Sequence, residues 1–190
     1  MTTRAQRNPA DVELRPVAEH DSMAELTGLL HRAYARLADM GLRYKATYQS
    51  EAVTRQRIAQ GECYVAVHAG ALVGTIVFKP KERAAGSAWL DRPDIAMLAQ
   101  FGVDPAWQAV GLGTRLMDLV ERRAAQTGAA EIALDTAEPA THLVQWYARR
   151  GYRFIEHVTW QHANYRSVIM SKPVASLIAA GRGSSAGGAA

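Results

Sequence analysis

The segment Val103-Asp-Pro-Ala-Trp-Gln-Ala-Val-Gly-Leu-Gly-Thr114 connects a predicted strand to a predicted helix. The strand over 96–103 ends before Pro105, because proline cannot donate to a β-ladder, and apolar residues recur at helical spacing after Gly113. The first turn of a helix leaves about four backbone N–H groups unpaired and carries a partial positive charge. Gly111 and Gly113 have no Cβ to keep a ligand away. The segment predicts a pyrophosphate site, although the same glycines also suit a tight loop.

Outward from this segment, apolar residues alternate or recur at helical spacing over most of the chain. Ser22 and Glu25 form the pattern of a capping box, and Ala69-Gly70 separates two β-rich runs like a hairpin turn. The spacing predicts strands over 12–17, 63–68, 71–78, 96–103, 131–135, 152–160 and 166–172, and helices over 22–40, 49–60, 112–128 and 139–150. This order predicts one mixed α+β domain over 11–173, with flexible tails over 1–10 and 180–190.

A dinucleotide-binding fold is the alternative for the glycine segment, because Asp135 ends a predicted strand 22 residues after Gly113. In that fold the glycines follow the strand directly, and the third position of the fingerprint is a small residue. Here seven residues, 104–110, separate the strand from Gly111, and Leu116 occupies the third position. The spacing therefore disfavours a dinucleotide site.

A second informative segment is Trp146-Tyr-Ala-Arg-Arg-Gly-Tyr-Arg-Phe154. This segment and the Gln-x-x-Gly-x-Gly pattern over 108–113 resemble the Tyr-x-x-x-Gly-Phe segment and the coenzyme A motif of the GCN5-related N-acetyltransferase (GNAT) superfamily. The resemblance covers about residues 12–172. It implies a GNAT-type α+β fold, with a mostly antiparallel sheet of about seven strands flanked by four helices. It also implies that strands 96–103 and 131–135 splay apart to form an acyl-CoA cleft.

The resemblance implies acetyl-CoA as the co-substrate and assigns most of its contacts to the main chain. Backbone groups of Phe101 and Val103 would bond the pantetheine arm, and one N–H near Phe101 would polarise the acetyl carbonyl. The N–H groups between Gln108 and Thr114 would hold the pyrophosphate. The implied coenzyme-binding residues are Phe101, Gly102, Val103, Gln108, Ala109, Val110, Gly111, Leu112, Gly113 and Thr114.

The resemblance makes Tyr147 the candidate catalytic residue. A phenol with a pKa of about 10 keeps its proton at neutral pH, and it can protonate the coenzyme A thiolate that leaves when an amine attacks. Tyr147 also shares a helical face with Leu143 and Val144. The periodicity by itself therefore fits a core residue as well as a catalytic one.

The sequence departs from the family pattern at several positions. Gln108 stands where Arg is also common, and Ala140 stands where an Asn often occurs, with Thr141 as a weak substitute. Some relatives carry a Glu base on the splayed strand, where this chain has Ala96-Met-Leu98. No general base is evident, so a water chain or one of three histidines would take that role: His20, His68 or His142.

Four aromatic residues are candidates for the acceptor side: Tyr44, Tyr48, Trp160 and Tyr165. They would flank a small amine or a peptide end, or they would serve as packing residues. His157 and His162 have no Cys or carboxylate at ligand spacing, so no metal is expected.

Composition narrows the remaining possibilities. The 190 residues carry 22 Lys and Arg against 18 Asp and Glu, a formal charge of +4, and the scattered cations disfavour a nucleic-acid partner. Cys63 stands alone, which excludes a disulfide framework, and it lies far in sequence from the coenzyme segment. No stretch is long and apolar enough for a membrane span, and the first residues lack the apolar core of a secretory signal. We expect a cytoplasmic protein without a membrane partner, as a monomer or homodimer.

These features predict an acetyl-CoA-dependent N-acyltransferase. The acetyl group would pass directly, in a ternary complex, to a primary amine of a small molecule, an amino acid or a peptide, without Cys63 as a carrier. The alternative is a module of the same fold that binds acyl-CoA without catalysis, which the missing base favours.

Overall fold

The computed structural model describes residues 7–174. The tail predicted over 180–190 and residues 1–6 of the tail predicted over 1–10 lie outside the described residues. Within the described part, Pro9–Asp11 forms a short 3-10 turn whose Pro9 carbonyl accepts a hydrogen bond from Arg115. This turn lies beside the start of the helix that follows the glycine segment.

Seven strands form one sheet in the described residues. They are β1 Glu13–Pro16, β2 Glu62–His68, β3 Ala71–Lys79, β4 Ile95–Val103, β5 Glu131–Ala137, β6 Arg153–Thr159 and β7 Arg166–Pro173. Their order across the sheet is β1-β2-β3-β4-β5-β7-β6, and every neighbouring pair is antiparallel except β4 and β5. The mostly antiparallel seven-stranded sheet is therefore confirmed.

Four α-helices accompany the sheet in this part of the chain: α1 Met23–Asp39, α2 Glu51–Ile58, α3 Leu112–Gln126 and α4 Thr141–Arg149. The Ser22 hydroxyl accepts the N–H of Glu25 at 3.2 Å, as a capping box requires, but Glu25 Oε1 accepts the N–H of Leu72 instead of returning to Ser22. Gly128, with φ +74°, follows the end of α3. Most element ends lie within two residues of the predicted bounds, and β5 continues to Ala137.

The helices divide between the two faces of the sheet because successive strand residues point in opposite directions. Ile76 and Phe78 of β3 pack with α3, whereas Val77 packs with Leu26 and Leu29 of α1. The α4 helix joins the α3 side, because Tyr147 and Tyr152 belong to the same core cluster as the α3 residues. The sheet therefore separates an α3–α4 side from an α1 side.

The parallel contact between β4 and β5 is short, and this opens the sheet. Only three residue pairs join them, the last being Met97 with Ala133. Farther along β4, Gln100 has φ +48° and the pairing with β3 shifts between Thr75 and Val77. Such a bulge bends the strand that carries it. The expected splay of β4 from β5 is confirmed, and it leaves a cleft through the sheet.

Candidate active site

The cleft between the diverging ends of β4 and β5 encloses about 350 Å³. Nine of the eleven site residues expected from the sequence line it: Phe101, Gly102, Val103, Gln108, Ala109, Gly111, Gly113, Thr114 and Tyr147. Val110 and Leu112 do not line it, because Leu112 is fully buried in the core and Val110 packs against that core. Both residues were expected to contribute backbone N–H groups and not side chains. The first N–H groups of a helix such as α3 have no partner within the helix.

The coenzyme end of the cleft is a loop with unusual backbone angles. Ala109 has φ +63°, and Gly111, the N-cap of α3, has φ +92°. Left-handed residues let neighbouring N–H groups turn toward one concave side, which suits an anion. The Gln108 side chain does not project toward that side as a free donor, since its Nε2 donates to the carbonyl of Val103 at 3.1 Å. Gln108 thereby fastens this loop to the end of β4.

Gly113 meets a packing requirement that the sequence did not reveal. A Cβ at this position would lie 3.2 Å from Cζ of Phe101 and 3.7 Å from Cγ2 of Val103. By contrast, the nearest atom to a Cβ at Gly111 is Cγ of Pro9, at 4.0 Å. Gly113 therefore lets α3 approach the end of β4, whereas Gly111 is required for its positive φ.

The edge of β4 that faces the cleft has main-chain groups without a strand partner, although the carbonyl of Val103 is bonded to the Gln108 side chain. Asp104 donates its N–H to the Val73 carbonyl on β3 at 2.9 Å. Because backbone groups alternate in direction along a strand, residues 101 and 103 turn theirs to the opposite edge. The main chain of Phe101 and Val103 thus faces the space where β5 has diverged.

Tyr147 is a core residue that also lines the cleft. Its side chain is only 6% exposed, and its ring packs edge-on against Tyr152 with the centroids 5.9 Å apart. It also lines the cleft, and its hydroxyl has no hydrogen-bond partner among residues 7–174. Burial raises the pKa of Tyr147 above its ordinary value, as do the nearby Tyr34, Tyr44 and Asp135. The phenol therefore holds its proton.

Asp135 also lines the cleft. From the sequence it was considered only as part of a dinucleotide-binding site, so its place here was missed. It lies on β5 and faces the α1 side, opposite to Leu134, which packs with the α3 cluster. Its Oδ2 accepts hydrogen bonds from Trp160 Nε1 at 3.0 Å and from Ser167 Oγ at 3.4 Å. Burial raises the pKa of this carboxyl, against the lowering effect of these hydrogen bonds and of Arg57. An acid within the apolar run Glu131-Ile-Ala-Leu-Asp-Thr-Ala137 was the available signal.

Of the four aromatic residues considered for the acceptor, Tyr44 lines the cleft, and Trp160 and Tyr165 lie behind it near Asp135 and Tyr44. The Tyr44 ring lies 5.4 Å from that of Tyr34 and 4.9 Å from that of Tyr165. The Tyr44 oxygen accepts the N–H of Ala137 at 2.7 Å, a backbone group that the splay of β4 leaves without a strand partner. Tyr48 is 49% exposed instead.

The three histidines considered as bases occupy different places. His142 lines the cleft, and partial burial lowers its pKa. The His20 side chain is 79% exposed, and the ring of His68 packs on Trp107, so neither lies at the cleft. Thr141 is exposed and does not line the cleft, so it does not replace the missing Asn.

No helix between residues 7 and 174 is long and apolar enough to cross a membrane. In the same part of the chain, no group of three or more His, Cys, Asp or Glu side chains is placed to hold a metal ion.

Comparison with known proteins agrees with the geometry of the cleft. The model of the acetyltransferase (GNAT) family matches residues 28–152. The chain belongs to the GNAT family. The match runs from within α1 to Tyr152 and includes all the residues that line the cleft.

Relatives of this GNAT protein include one curated enzyme and many solved structures. S-(2-succino)cysteine N-acetyltransferase of Bacillus subtilis is 26% identical over 143 residues, which are 73% of this chain and 82% of that protein. A crystal structure from Pyrococcus horikoshii has a TM-score of 0.68 at 18% identity, covering 85% of this chain and 98% of the other. A GNAT acetyltransferase from Elizabethkingia anophelis, solved with acetyl-CoA bound, has a TM-score of 0.61 at 15% identity, covering 86% and 98%. These structures confirm the fold.

Proposed function

We propose that this GNAT protein is an acetyl-CoA-dependent N-acetyltransferase that transfers the acetyl group directly to a primary amine. The observation that carries the proposal is the placement of Asp135 and Tyr147 in one cleft with the backbone cradle over 108–114. An enclosed base, a protonated phenol and unpaired amides are the groups that amine acetylation needs. The curated relative is itself named as an N-acetyltransferase.

The coenzyme end of the cleft fits acetyl-CoA, which supplies the acetyl group as a thioester. The N–H groups of the loop from Gln108 and of the first turn of α3 suit the pyrophosphate, because these donors have no partners within the helix. The free edge of β4 at Phe101 and Val103 suits the amide groups of the pantetheine arm, which pair with a main chain as a strand would.

Asp135 is the general base in this proposal. A primary amine is mostly protonated at neutral pH, so it must lose a proton before it can attack. Asp135 is enclosed on the α1 side, and hydrogen bonds from Trp160 and Ser167 orient one of its oxygens. Because burial raises its pKa, the carboxylate accepts a proton more readily than an exposed aspartate does.

Tyr147 is the general acid. The amine nitrogen forms a bond to the thioester carbon, the C–S bond breaks, and the Tyr147 hydroxyl gives its proton to the leaving sulfur. The phenol regains a proton from the second N–H of the amine by way of solvent. Overall, an ammonium group and a thioester give an amide, a thiol and one proton, which leaves from Asp135.

Direct transfer is consistent with the position of the single thiol. Cys63 is 5% exposed on β2, lies outside the cleft, and burial raises its pKa to about 11. A thiol in this state is a poor nucleophile. Cys63→Ala should therefore retain full turnover, and the wild-type protein should acquire no stable acetyl label from radioactive acetyl-CoA alone. Label on Cys63 would contradict direct transfer.

The test of the proposed function is thiol release from acetyl-CoA with a panel of amino acids, small amines and peptides, checked by mass spectrometry for the acetylated product. A non-catalytic module would bind acetyl-CoA in calorimetry and release no thiol with any acceptor. The enclosed Asp135 opposite Tyr147 favours catalysis, since a sensor would have no use for either charge state.

A further inference from the structure

Three partly buried charges lie beside the proposed acceptor end of the cleft without pairing. They are Asp135 on β5, Arg57 on α2 and Lys79 at the end of β3. Burial is the largest influence on the pKa of each, raising it for Asp135 and lowering it for Arg57 and Lys79. None of the three has an oppositely charged partner within 4.0 Å among residues 7–174. A charge that loses part of its hydration is stabilised by an opposite charge nearby.

Arg57 is held in place by a network of neutral side chains. Its Nη1 donates to Gln49 Oε1 at 2.6 Å. The Gln49 amide nitrogen donates to Thr54 Oγ1 at 2.8 Å and to Gln100 Oε1 at 2.9 Å. Gln49 is 2% exposed and Gln100 is 4% exposed, so this network lies in the protein interior. The guanidinium is therefore oriented in advance, and one neutral acceptor leaves its charge uncompensated.

The network connects Arg57 to the place where the acceptor would bind. Gln100 is the bulge residue of β4, next to Phe101 at the cleft. Arg57 lies within electrostatic range of Asp135 and Tyr34, which line the cleft, and of Tyr165. Lys79 interacts with both Arg57 and Asp135, and its Nζ donates to the neutral Gln60 at 2.8 Å. Asp135 lines the cleft, and two cations that do not line it, Arg57 and Lys79, thus lie within electrostatic range of its carboxylate.

We propose that the acceptor carries a carboxylate close to its amine, as a free amino acid does, and that Arg57 binds this carboxylate while Asp135 faces the amine. This inference rests on the proposed function and names its substrate class. An acceptor with an amine only would leave both cations uncompensated. A peptide amino terminus places a neutral amide where a free amino acid has its carboxylate, so it would leave the fork of Arg57 without an anionic partner.

The experiment compares matched acceptors on the full chain. Each of a set of α-amino acids is paired with its primary amide, and kcat/KM with acetyl-CoA is measured by thiol release. Since a hydrogen bond to a charged group contributes enough for roughly tenfold to hundredfold discrimination, at least one acid should exceed its amide by that factor. Arg57→Gln should bring this ratio to about one, mainly through the KM of the acid, and Arg57→Lys should restore part of it.

The matched control is Arg55→Gln, an exposed arginine on the same helix, which should keep the ratio. A merely structural role of Arg57 would lower kcat/KM for acid and amide together, leave the ratio unchanged, and overturn the inference. Amides or short peptides that react as fast as the acids would also overturn it, while the proposed function would stand. Binding of acetyl-CoA with no thiol release from any acceptor would overturn both.

Discussion

The proposed coenzyme end of the cleft is built from main chain, whereas the proposed acceptor end is built from charged and aromatic side chains. At the first end, Ala109 and Gly111 take left-handed angles and Gln108 ties the loop to Val103. At the second, Asp135 and Arg57 are partly buried, and no ion pair joins them. A backbone site binds any ligand with the same phosphates, while a side-chain site selects by charge.

The difference has a physical origin in how each end is assembled. The amides over 108–114 come from one contiguous segment, so their geometry depends on local backbone conformation. The groups around Asp135 come from α1, α2, β3, β5 and the segment after β6, and only the folded sheet brings them together. Substitutions at the two ends should therefore affect different constants.

The largest effect is expected from Asp135→Asn. A positioned general base contributes about 10²–10⁴-fold, so kcat should fall by at least about a hundredfold while the Kd for acetyl-CoA stays close to that of wild type. The amide of Asn can still accept from Trp160, which preserves the packing. Stopped-flow or steady-state turnover and calorimetry measure the two constants. If His142→Ala gave the large loss and Asp135→Asn a small one, the base would be His142 instead.

Tyr147→Phe should lower turnover by at least about tenfold, with coenzyme affinity nearly unchanged, because the ring that packs in the core remains. Tyr152→Phe is the matched control, since Tyr152 is buried beside Tyr147 and its hydroxyl bonds Glu121 at 3.2 Å, outside the cleft. That variant should lose stability of about 1 kcal/mol and keep its turnover. Equal activity of wild type and Tyr147→Phe across pH 7–9 would remove Tyr147 from the mechanism.

At the coenzyme end, Gly113→Val should weaken acetyl-CoA binding several-fold, because its side chain displaces Phe101 and the end of β4. Gly111→Ala should do the same through its left-handed angle, which costs about 1–2 kcal/mol for a residue with a Cβ. Gly128→Ala is the control, with φ +74° and open space around it, far from the cleft. It should cost similar stability and leave the Kd unchanged. Unchanged affinity in Gly113→Val would contradict the backbone cradle.

The smallest expected effect is on the free energy of unfolding. Its sign depends on whether folding raises or lowers the pKa of the carboxyl that is replaced. Because the folded pKa of Asp135 is raised, its stabilising contribution is complete below the ordinary aspartate pKa and is lost as pH rises through the folded pKa. Asp135→Asn should therefore raise Tm at pH 7, and the gain should shrink toward pH 4. A change of 1 kcal/mol corresponds to about 2–4 °C in a domain of this size.

The contrasting variant is Asp21→Asn. Arg15 binds Asp21 through two hydrogen bonds of 2.6 and 2.7 Å and lowers its pKa to about 2. That contribution is present above the ordinary aspartate pKa and is lost as pH falls toward 2. Asp21→Asn should lower Tm at pH 7. Calorimetric scans of both variants check the opposite signs, and a lower Tm for Asp135→Asn at pH 7 would contradict the enclosed charge.

The strands, the helices and the coenzyme segment were predictable because each depends on short-range patterns. Alternating apolar residues predicted the strands, Gly128 predicted the end of α3, and the pattern over 108–113 indicated the family. Asp135 was visible as an acid at the end of a strand, but the sequence could not say which face it occupies relative to the cleft. The answer depends on which side chains of β5 point to each face of the sheet and on where β4 diverges from β5.

By itself, the sequence determined the family, the acyl donor and the backbone segment that would hold it, because neighbours along the chain make that site. Only the tertiary structure showed that Arg57 lies within electrostatic range of Asp135 and that Gly113 is needed for the ring of Phe101. The physical reason is distance along the chain. Arg57 precedes Asp135 by more than seventy residues, and the charges that we propose select the substrate come together only in the folded sheet.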